Sequence, residues 1–463
     1  MVESLARQFG PMAAAHPGLS GVQMLKDGPM SLSLRLLLVR RARLSLDVQY
    51  YIWRGDRSGR LLLAELLAAA DRGVHVRLLL DDFGCGVGDA RLAALHAHPH
   101  IEVRLFNPLR LRWPRWINFL FDFPRLNRRM HNKCLVVDGV AAVLGGRNIG
   151  DEYFDGSNPA LAADLDALAV GAIAADVAAD FERYWHADAA LPLDAVVTRP
   201  SPAAPLETEP RDSDPAAEAL IDEAADFDWV AMRMLSDDPD KVLGRAGPTE
   251  LMLPQLIAAL APTHRLLLVS PYFVPLDAGV ALLAGFVGRG VQVTVLTNSL
   301  QSNNVAISHA GYAPARRALL RAGVRLWELK GRGLGPAMLG LVPRSLRRNP
   351  GTASFFRASA PALHATTFIA DGARLFGGSM NFDARSWQPN PEIGFLIESA
   401  MVAGRVEASV IAELPYHSWS VELAGDGLAW RGPSICHRTE PGTRWWQRGV
   451  MHFLGWLPIK RLL

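Results

Sequence analysis

Apolar positions along this 463-residue chain fall into short runs whose period switches between two and about three and a half. RLSLDVQYYIW, from Arg43, is a strand-like run ending in aromatics. LLLAELLAAADRG, from Leu61, is helix-like and closed by glycine, and RGVHVRLLLDD, from Arg72, is strand-like again. The same succession returns as RLLLVSPYFV from Arg265, VALLAGFVGRG from Val280 and RGVQVTVLTNS from Arg289. Strand, helix, strand in this order predicts a right-handed βαβ unit with parallel strands. Further helical stretches follow in each part, ARLAALHAHP and HAGYAPARRALLRAGV. The pattern therefore predicts an α/β protein of two similar halves. TRPSPAAPLETEPRDSDPAA, from Thr198, is rich in Pro and charge, cannot bury a core, and reads as a crossing between them. The expected divisions are an N-terminal segment 1–27, a first domain 28–197, a linker 198–215, a second domain 216–422 and a tail 423–463.

A second repeat carries chemistry. MHNKCLVVDGVAAVLGGRN, from Met130, aligns without a gap on LHATTFIADGARLFGGSMN, from Leu363. His131 falls on His364, Asp138 on Asp371, Gly145 on Gly378 and Asn148 on Asn381, while Lys133 falls on Thr366. Alternate residues of a strand share a face, so His131 and Lys133 point to one site and Asn132 and Cys134 point away. Asn148, beyond the glycine turn, can return beside them as a donor. A neutral imidazole can attack phosphorus, and an ammonium can hold a phosphoryl oxygen. Asp138, in a VDG turn, reads as structural. Two such motifs would meet across a pseudo-twofold interface, one histidine attacking while the other protonates the leaving oxygen. A single His-x-Lys is weak evidence; two aligned copies with matching Asp, Gly and Asn are not.

These residues resemble the phospholipase D superfamily, and within it the bacterial phospholipase D-type cardiolipin synthases. HPGLSG from His16, LDVQYYIW, LLDDFG, GGRNIGDEYF, TNSLQSNNVAISHAGY and FDARSWQPNPEIG extend the likeness over nearly the whole chain. The resemblance implies two phospholipase D-like α/β domains forming a pseudo-twofold pair around one active site that needs no metal or other cofactor. It also implies a covalent phosphohistidine intermediate and transfer of a phosphatidyl group between phospholipids. Carried over by position, His131 is the nucleophile and His364 the general acid and then base, with Lys133, Asn148 and Asn381 around the phosphate. The family also orients each histidine with a carboxylate on a later strand. Glu392 fits that place in the second half, and Asp164 is preferred over Asp166 in the first. Arg385 and His309 are candidate substrate contacts; a core role for His309 fits its sequence equally well.

Composition adds the surroundings. A net charge of +2 gives no global field for nucleic acid, and no nucleic-acid partner is expected. The three cysteines, Cys85, Cys134 and Cys436, have no disulfide or zinc spacing. His96, His98 and His100 alternate like ligands but lack acidic or thiol neighbours in register. Asp81 and Asp82 are adjacent and project to opposite faces. Before the first motif runs RLFNPLRLRWPRWINFLFDFPRLNRR, where arginines interleave with Trp113, Trp116, Phe119 and Phe121. A second basic insertion, LKGRGLGPAMLGLVPRSLRRNPGTASFFR, precedes the other motif. The tail, TRWWQRGVMHFLGWLPIKRLL, sets Trp446, Val450 and Phe453 at helical spacing beside Trp445 and Trp456. Such segments suit an anionic membrane interface; the competing readings are a packed loop and a docked helix. The N-terminus has no signal-peptide core, and no run approaches the length of a bilayer span. The expected partners are anionic phospholipids, phosphatidylglycerol or phosphatidylethanolamine, at a membrane surface. The expected place is the cytoplasmic side of a bacterial inner membrane, peripherally bound.

Thr366 breaks the pattern, because threonine supplies a hydroxyl but no charge. If a lysine there stabilises the transition state, its loss costs on the order of 10²–10³ in rate. An asymmetric but active site, with Lys133 or Arg385 compensating, competes with a catalytically silent lipid-binding protein and with an introduced substitution. Both histidines, both asparagines and Glu392 remain, which favours an enzyme. Phosphatidyl transfer making cardiolipin is the leading expectation, and hydrolysis of phospholipid is its nearest rival.

Overall fold

The structure is a computed structural model and describes residues 4–155, 164–197, 214–222, 227–303, 305–331 and 363–456. Strands in the first half are β1 (Ser20–Leu25), β2 (Ser45–Tyr50), β3 (His75–Asp81), β4 (Ile101–Phe106), β5 (Lys133–Val137), β6 (Ala141–Gly145), β7 (Asp166–Gly171) and β8 (Ala190–Pro192). Those of the second half are β9 (Asp228–Ser236), β10 (Arg265–Val269), β11 (Gln292–Asn298), β12 (Arg325–Leu329), β13 (Thr366–Ala370), β14 (Arg374–Gly378), β15 (Ile393–Glu398), β16 (Ser418–Ala424), β17 (Gly427–Arg431) and β18 (Cys436–His437).

The halves share one pairing scheme. In the first, β4, β3 and β2 are parallel neighbours, and antiparallel β5, β6, β7 and β1 continue the sheet. In the second, β12, β11 and β10 are parallel, followed by antiparallel β13, β14, β15 and β9. The helix Arg57–Asp71 connects β2 to β3 and the helix Leu276–Gly288 connects β10 to β11, as the periodicity predicts. β9 joins the two sheets: Asp228–Val230 pair with β1, and Ala231–Ser236 pair with β15.

The sheet corrects two expected boundaries. β1 lies within 1–27, yet it pairs along its whole length with β7 and is the counterpart of β9. It is short and its partner is distant in sequence, so local periodicity does not mark it. The hairpin of β16 and β17 likewise runs through the boundary at 423 and extends the second sheet. Residues 198–213 of the linker, residues 332–362, which hold nearly all of the second basic insertion, and the chain beyond 456 lie outside the described residues.

Apolar faces of both sheets meet in one buried cluster. Cys134, Val136, Ala142 and Leu144 of the first half pack there with Val269, Ile369, Leu375 and Phe395 of the second. The helices Ala172–Trp185 and Ala400–His417 contribute Ile173, Val177, Val402 and Val406 to it. This shared core fixes the halves face to face, which brings the ends of β5 and β13 together. The thiols of Cys85 and Cys134 are buried, and that of Cys436 is exposed.

Candidate active site

Each motif is a hairpin, β5–β6 or β13–β14, turned by an Asp-Gly pair in the left-handed region: Asp138 and Asp371 have φ of 52° and 56°. Both aspartates are structural. Asp138 accepts the backbone N–H groups of Arg43, Leu44 and Ser45, and Asp371 those of Thr263, His264 and Arg265. Each thereby ties its hairpin to the entry of the neighbouring parallel strand. The residue before each histidine is held equivalently. Asp81 accepts the N–H of Met130 at 3.0 Å, and Asn298 accepts that of Leu363 at 2.9 Å.

Both imidazoles reach solvent at the seam, with side-chain exposures of 14% for His131 and 13% for His364. Each takes its carboxylate from the opposite half. His131 Nδ1 is 2.8 Å from Glu392 Oε2, and His364 Nδ1 is 2.6 Å from Asp164 Oδ2. Asp164 and Glu392 are equivalent in register, each two residues before the strand residue that pairs with the motif glycine, Gly145 opposite Asp166 and Gly378 opposite Gly394. A side chain at Gly146 would collide with the Asp164 carboxylate, so glycine is required for the approach. At the matching position Ser379 is tolerated because its hydroxyl donates to Glu392. Asp166, the rejected competitor, is wholly buried with Arg35, Arg147 and Ser31 and braces the first half.

With Nδ1 engaged, each histidine presents Nε2 to the cleft. Burial lowers the affinity of His131 for a proton, Lys133 and His364 lower it further, and Glu392 opposes them. A neutral imidazole at neutral pH is the form that can attack. Burial raises the Glu392 carboxyl, but His131 and Lys133 pull it below its ordinary value, so it stays ionised. Burial drops the Lys133 ammonium to about 7. That amine donates to the His131 carbonyl and lies 5.6 Å from the Tyr51 ring.

Across the seam Thr366 is buried and its hydroxyl donates to Asn381 Oδ1 at 3.2 Å. Asn148 accepts from the N–H of Ile52 and donates to the Tyr153 hydroxyl. Sequence reasoning missed two aromatic walls. Tyr51 meets the His131 ring edge-on, and Tyr153 meets His364 in the same way, both with centroids 5.0 Å apart. Tyr51 follows the strand proper, and Tyr153 sits in a single helical turn, so neither shows a periodic signal.

Arg385 is brought to the seam, where it donates to the side chain and carbonyl of Asn127. The structure corrects the expectation for His309. Its side chain is fully buried, with Nε2 2.7 Å from Glu440 Oε1 and beside Arg316, so it has no open edge for a headgroup. The cause is tertiary: Glu440, far along the chain, returns to neutralise a buried Arg316 that already pairs with Glu328. Asp81 and Asp82 also serve structure. Asp81 binds Arg129, and Asp82 binds Arg112 and Arg115. His98 pairs with Asp71, and His96 accepts from the N–H of Val103.

The aromatic–basic insertion exposes a patch of rings. Trp113 is 87% exposed, Phe121 84% and Trp116 62%. The tail forms a helix, Trp445–Trp456, on which Trp445 and Phe453 are largely exposed and Trp446 and Val450 are about half exposed. Among the described residues no helix is long and apolar enough to cross a membrane.

Comparison with known proteins identifies the family. The family model described as a cardiolipin synthase, PLD-like domain, matches residues 37–185 and again 256–412. The chain is 40% identical to cardiolipin synthase C of Escherichia coli over 99% of both chains. It is 27% identical to cardiolipin synthase A of Pseudomonas entomophila over 83% of this chain and 67% of that one. Among solved structures, the phosphatidylserine synthase of Haemophilus influenzae superposes with a TM-score of 0.60 at 14% identity, covering 98% of this chain and 99% of that one, a likeness of fold. The chain belongs to the phospholipase D-like cardiolipin synthase family, whose enzymes act on phospholipids by transphosphatidylation.

Proposed function

We propose that this protein makes cardiolipin by two in-line displacements at the phosphorus of phosphatidylglycerol. The carrying observation is the crossed pair of histidine–carboxylate contacts, which leaves an Nε2 from each half facing one seam. His131 Nε2 attacks phosphorus, the bond to the headgroup glycerol oxygen breaks, and His364 donates its proton to that oxygen. Glycerol leaves a phosphatidyl group on His131. A headgroup hydroxyl of a second phospholipid then attacks the same phosphorus, gives its proton to His364, and frees His131. The lowered proton affinity of His131 supports its role as nucleophile.

Lys133 supplies charge to the non-bridging oxygens from one side only. Thr366 supplies a hydroxyl that already donates to Asn381, so the site is asymmetric and its rate reduced relative to one with two lysines. Arg385, which donates to Asn127, is the cation we assign to compensate. The exposed rings of the insertion and the tail helix support peripheral attachment to an anionic bilayer, on the cytoplasmic side of a bacterial inner membrane. Phosphatidylglycerol carries the free headgroup hydroxyl that the acceptor step needs; phosphatidylethanolamine, which has none, fits only as a phosphatidyl donor.

Labelled phosphatidylglycerol in vesicles tests the reading. Cardiolipin with release of glycerol is expected; phosphatidic acid alone would assign hydrolysis instead, and no turnover would leave a lipid-binding role.

A further inference from the structure

Beside His131 the two halves enclose a second cleft of about 360 Å³, lined among others by Asn127, Arg128, Lys241, Gly244, Gln388 and Pro389. Both of its walls run straight into the catalytic pair. The chain from Arg128 reaches His131 in three residues, and that from Pro389 reaches Glu392 in three. These walls are stitched together: Arg129 N–H donates to Asn390 Oδ1, and His131 N–H donates to the Pro391 carbonyl. Three extended residues span at most roughly 11 Å, so each wall of the cleft lies within that reach of His131 or Glu392.

Its charge is positive and incompletely matched. Lys241 is buried and donates to Asp237 and to the carbonyl of Ser386. Arg385 donates to Asn127, on the cleft wall. Arg128 is half-buried and lies over Gly244, which has a φ of 73° and no side chain to displace it. Among the described residues no carboxylate or carbonyl accepts from the Arg128 guanidinium. Partial burial of a guanidinium without an acceptor is unfavourable, and an anion in the cleft would relieve it. Pro124, on the same wall, follows the exposed rings of Phe121 and Phe123, so the opening stands beside the apolar patch.

We propose that this cleft is the subsite for the phosphodiester of the acceptor phospholipid, with Arg128 as the residue that binds it. The proposal rests on the transferase reading above. In an acceptor such as phosphatidylglycerol, a three-carbon bridge separates the attacking hydroxyl from its own phosphate. Together with the length of the Arg128 side chain, that bridge lets one phosphate sit at His131 while the other sits in the cleft. Water needs no such anchor, so Arg128 separates transfer from hydrolysis.

Binding is measured on the full chain carrying His131→Ala, which cannot turn over, by titration with short-chain phosphatidylglycerol, glycerophosphoglycerol and inorganic phosphate. Two phosphatidylglycerol molecules per chain are expected, falling to one when Arg128→Gln is added, while Arg128→Lys keeps the second. An unchanged stoichiometry in Arg128→Gln overturns the subsite. Saturation of the cleft by inorganic phosphate with no second lipid overturns the lipid assignment. In otherwise unaltered protein, Arg128→Gln is expected to lower cardiolipin formation about ten-fold or more while headgroup release to water persists. An equal fall in both would overturn the acceptor role. Should the unaltered protein cleave no lipid at all, the transferase reading fails on its own, whereas the stoichiometry still reports on the cleft.

Discussion

Glu392 holds the Nδ1 of His131 at 2.8 Å, although the two residues belong to opposite halves of the molecule. The reciprocal contact, Asp164 to His364 at 2.6 Å, makes the exchange symmetric. Neither half therefore contains a complete histidine–carboxylate pair, and the site exists only when the two sheets are packed together.

Replacing either carboxylate by its amide keeps the shape but stabilises the wrong tautomer of the opposite histidine. Glu392→Gln and Asp164→Asn are each expected to lower phosphatidyl transfer by roughly 10²–10⁴, as for other oriented histidines. Initial rates on labelled phosphatidylglycerol check this; an activity within a factor of two of the parent would remove the orienting role.

Lys133 has a testable sign. Burial lowers its pKa to about 7 in the folded chain, against about 10.4 for a free lysine. Between those values the unfolded chain binds the extra proton, so stability rises as pH increases from 7 towards 10. Lys133→Met lacks this dependence. It should be more stable than the parent at pH 6, with the gap closing as pH rises, while transfer is lost. Thermal unfolding across pH 6–10 measures it.

Thr366→Lys tests the asymmetry. If the second half lacks only a charge, the variant should gain about ten-fold or more in rate. Equal rates for variant and parent would show that Lys133 with the arginines suffices.

Asp371 accepts three successive backbone N–H groups, which hold its carboxyl well below the usual range. Its stabilisation is complete above pH 4 and is lost as pH falls below that value. By denaturant unfolding, Asp371→Ala should cost about 1–3 kcal/mol at pH 7 and only modestly less at pH 3, because the folded carboxyl is still ionised there.

Membrane attachment is best tested by removing the helix that starts at Trp445 rather than from residue 440. Glu440 neutralises the buried Arg316, so a cut there would also remove a partner of that buried guanidinium and confound the result. Vesicle co-sedimentation should fall with this truncation and fall further with Trp113→Ser and Trp116→Ser. Unchanged sedimentation would mean that the exposed rings serve another partner.

The repeated histidine motif, its Asp-Gly turns and the paired βαβ units were legible in the chain, because each depends on neighbours a few residues apart. Strand period places His131 with Lys133, and an aspartate tolerates the positive φ of the turn whatever lies beyond it. Asp164 and Asp166 look alike in ADLDAL, and only the tertiary structure separates them. One reaches across the seam to His364, while the other closes on Arg35 and Arg147 within its own half. His309 was ambiguous for the same reason: its environment is made by Glu440, whose return no local pattern announces. Periodicity determined which faces are buried; what those faces meet was decided by the packing of two sheets, because a buried charge takes whichever partner the fold brings within hydrogen-bonding distance.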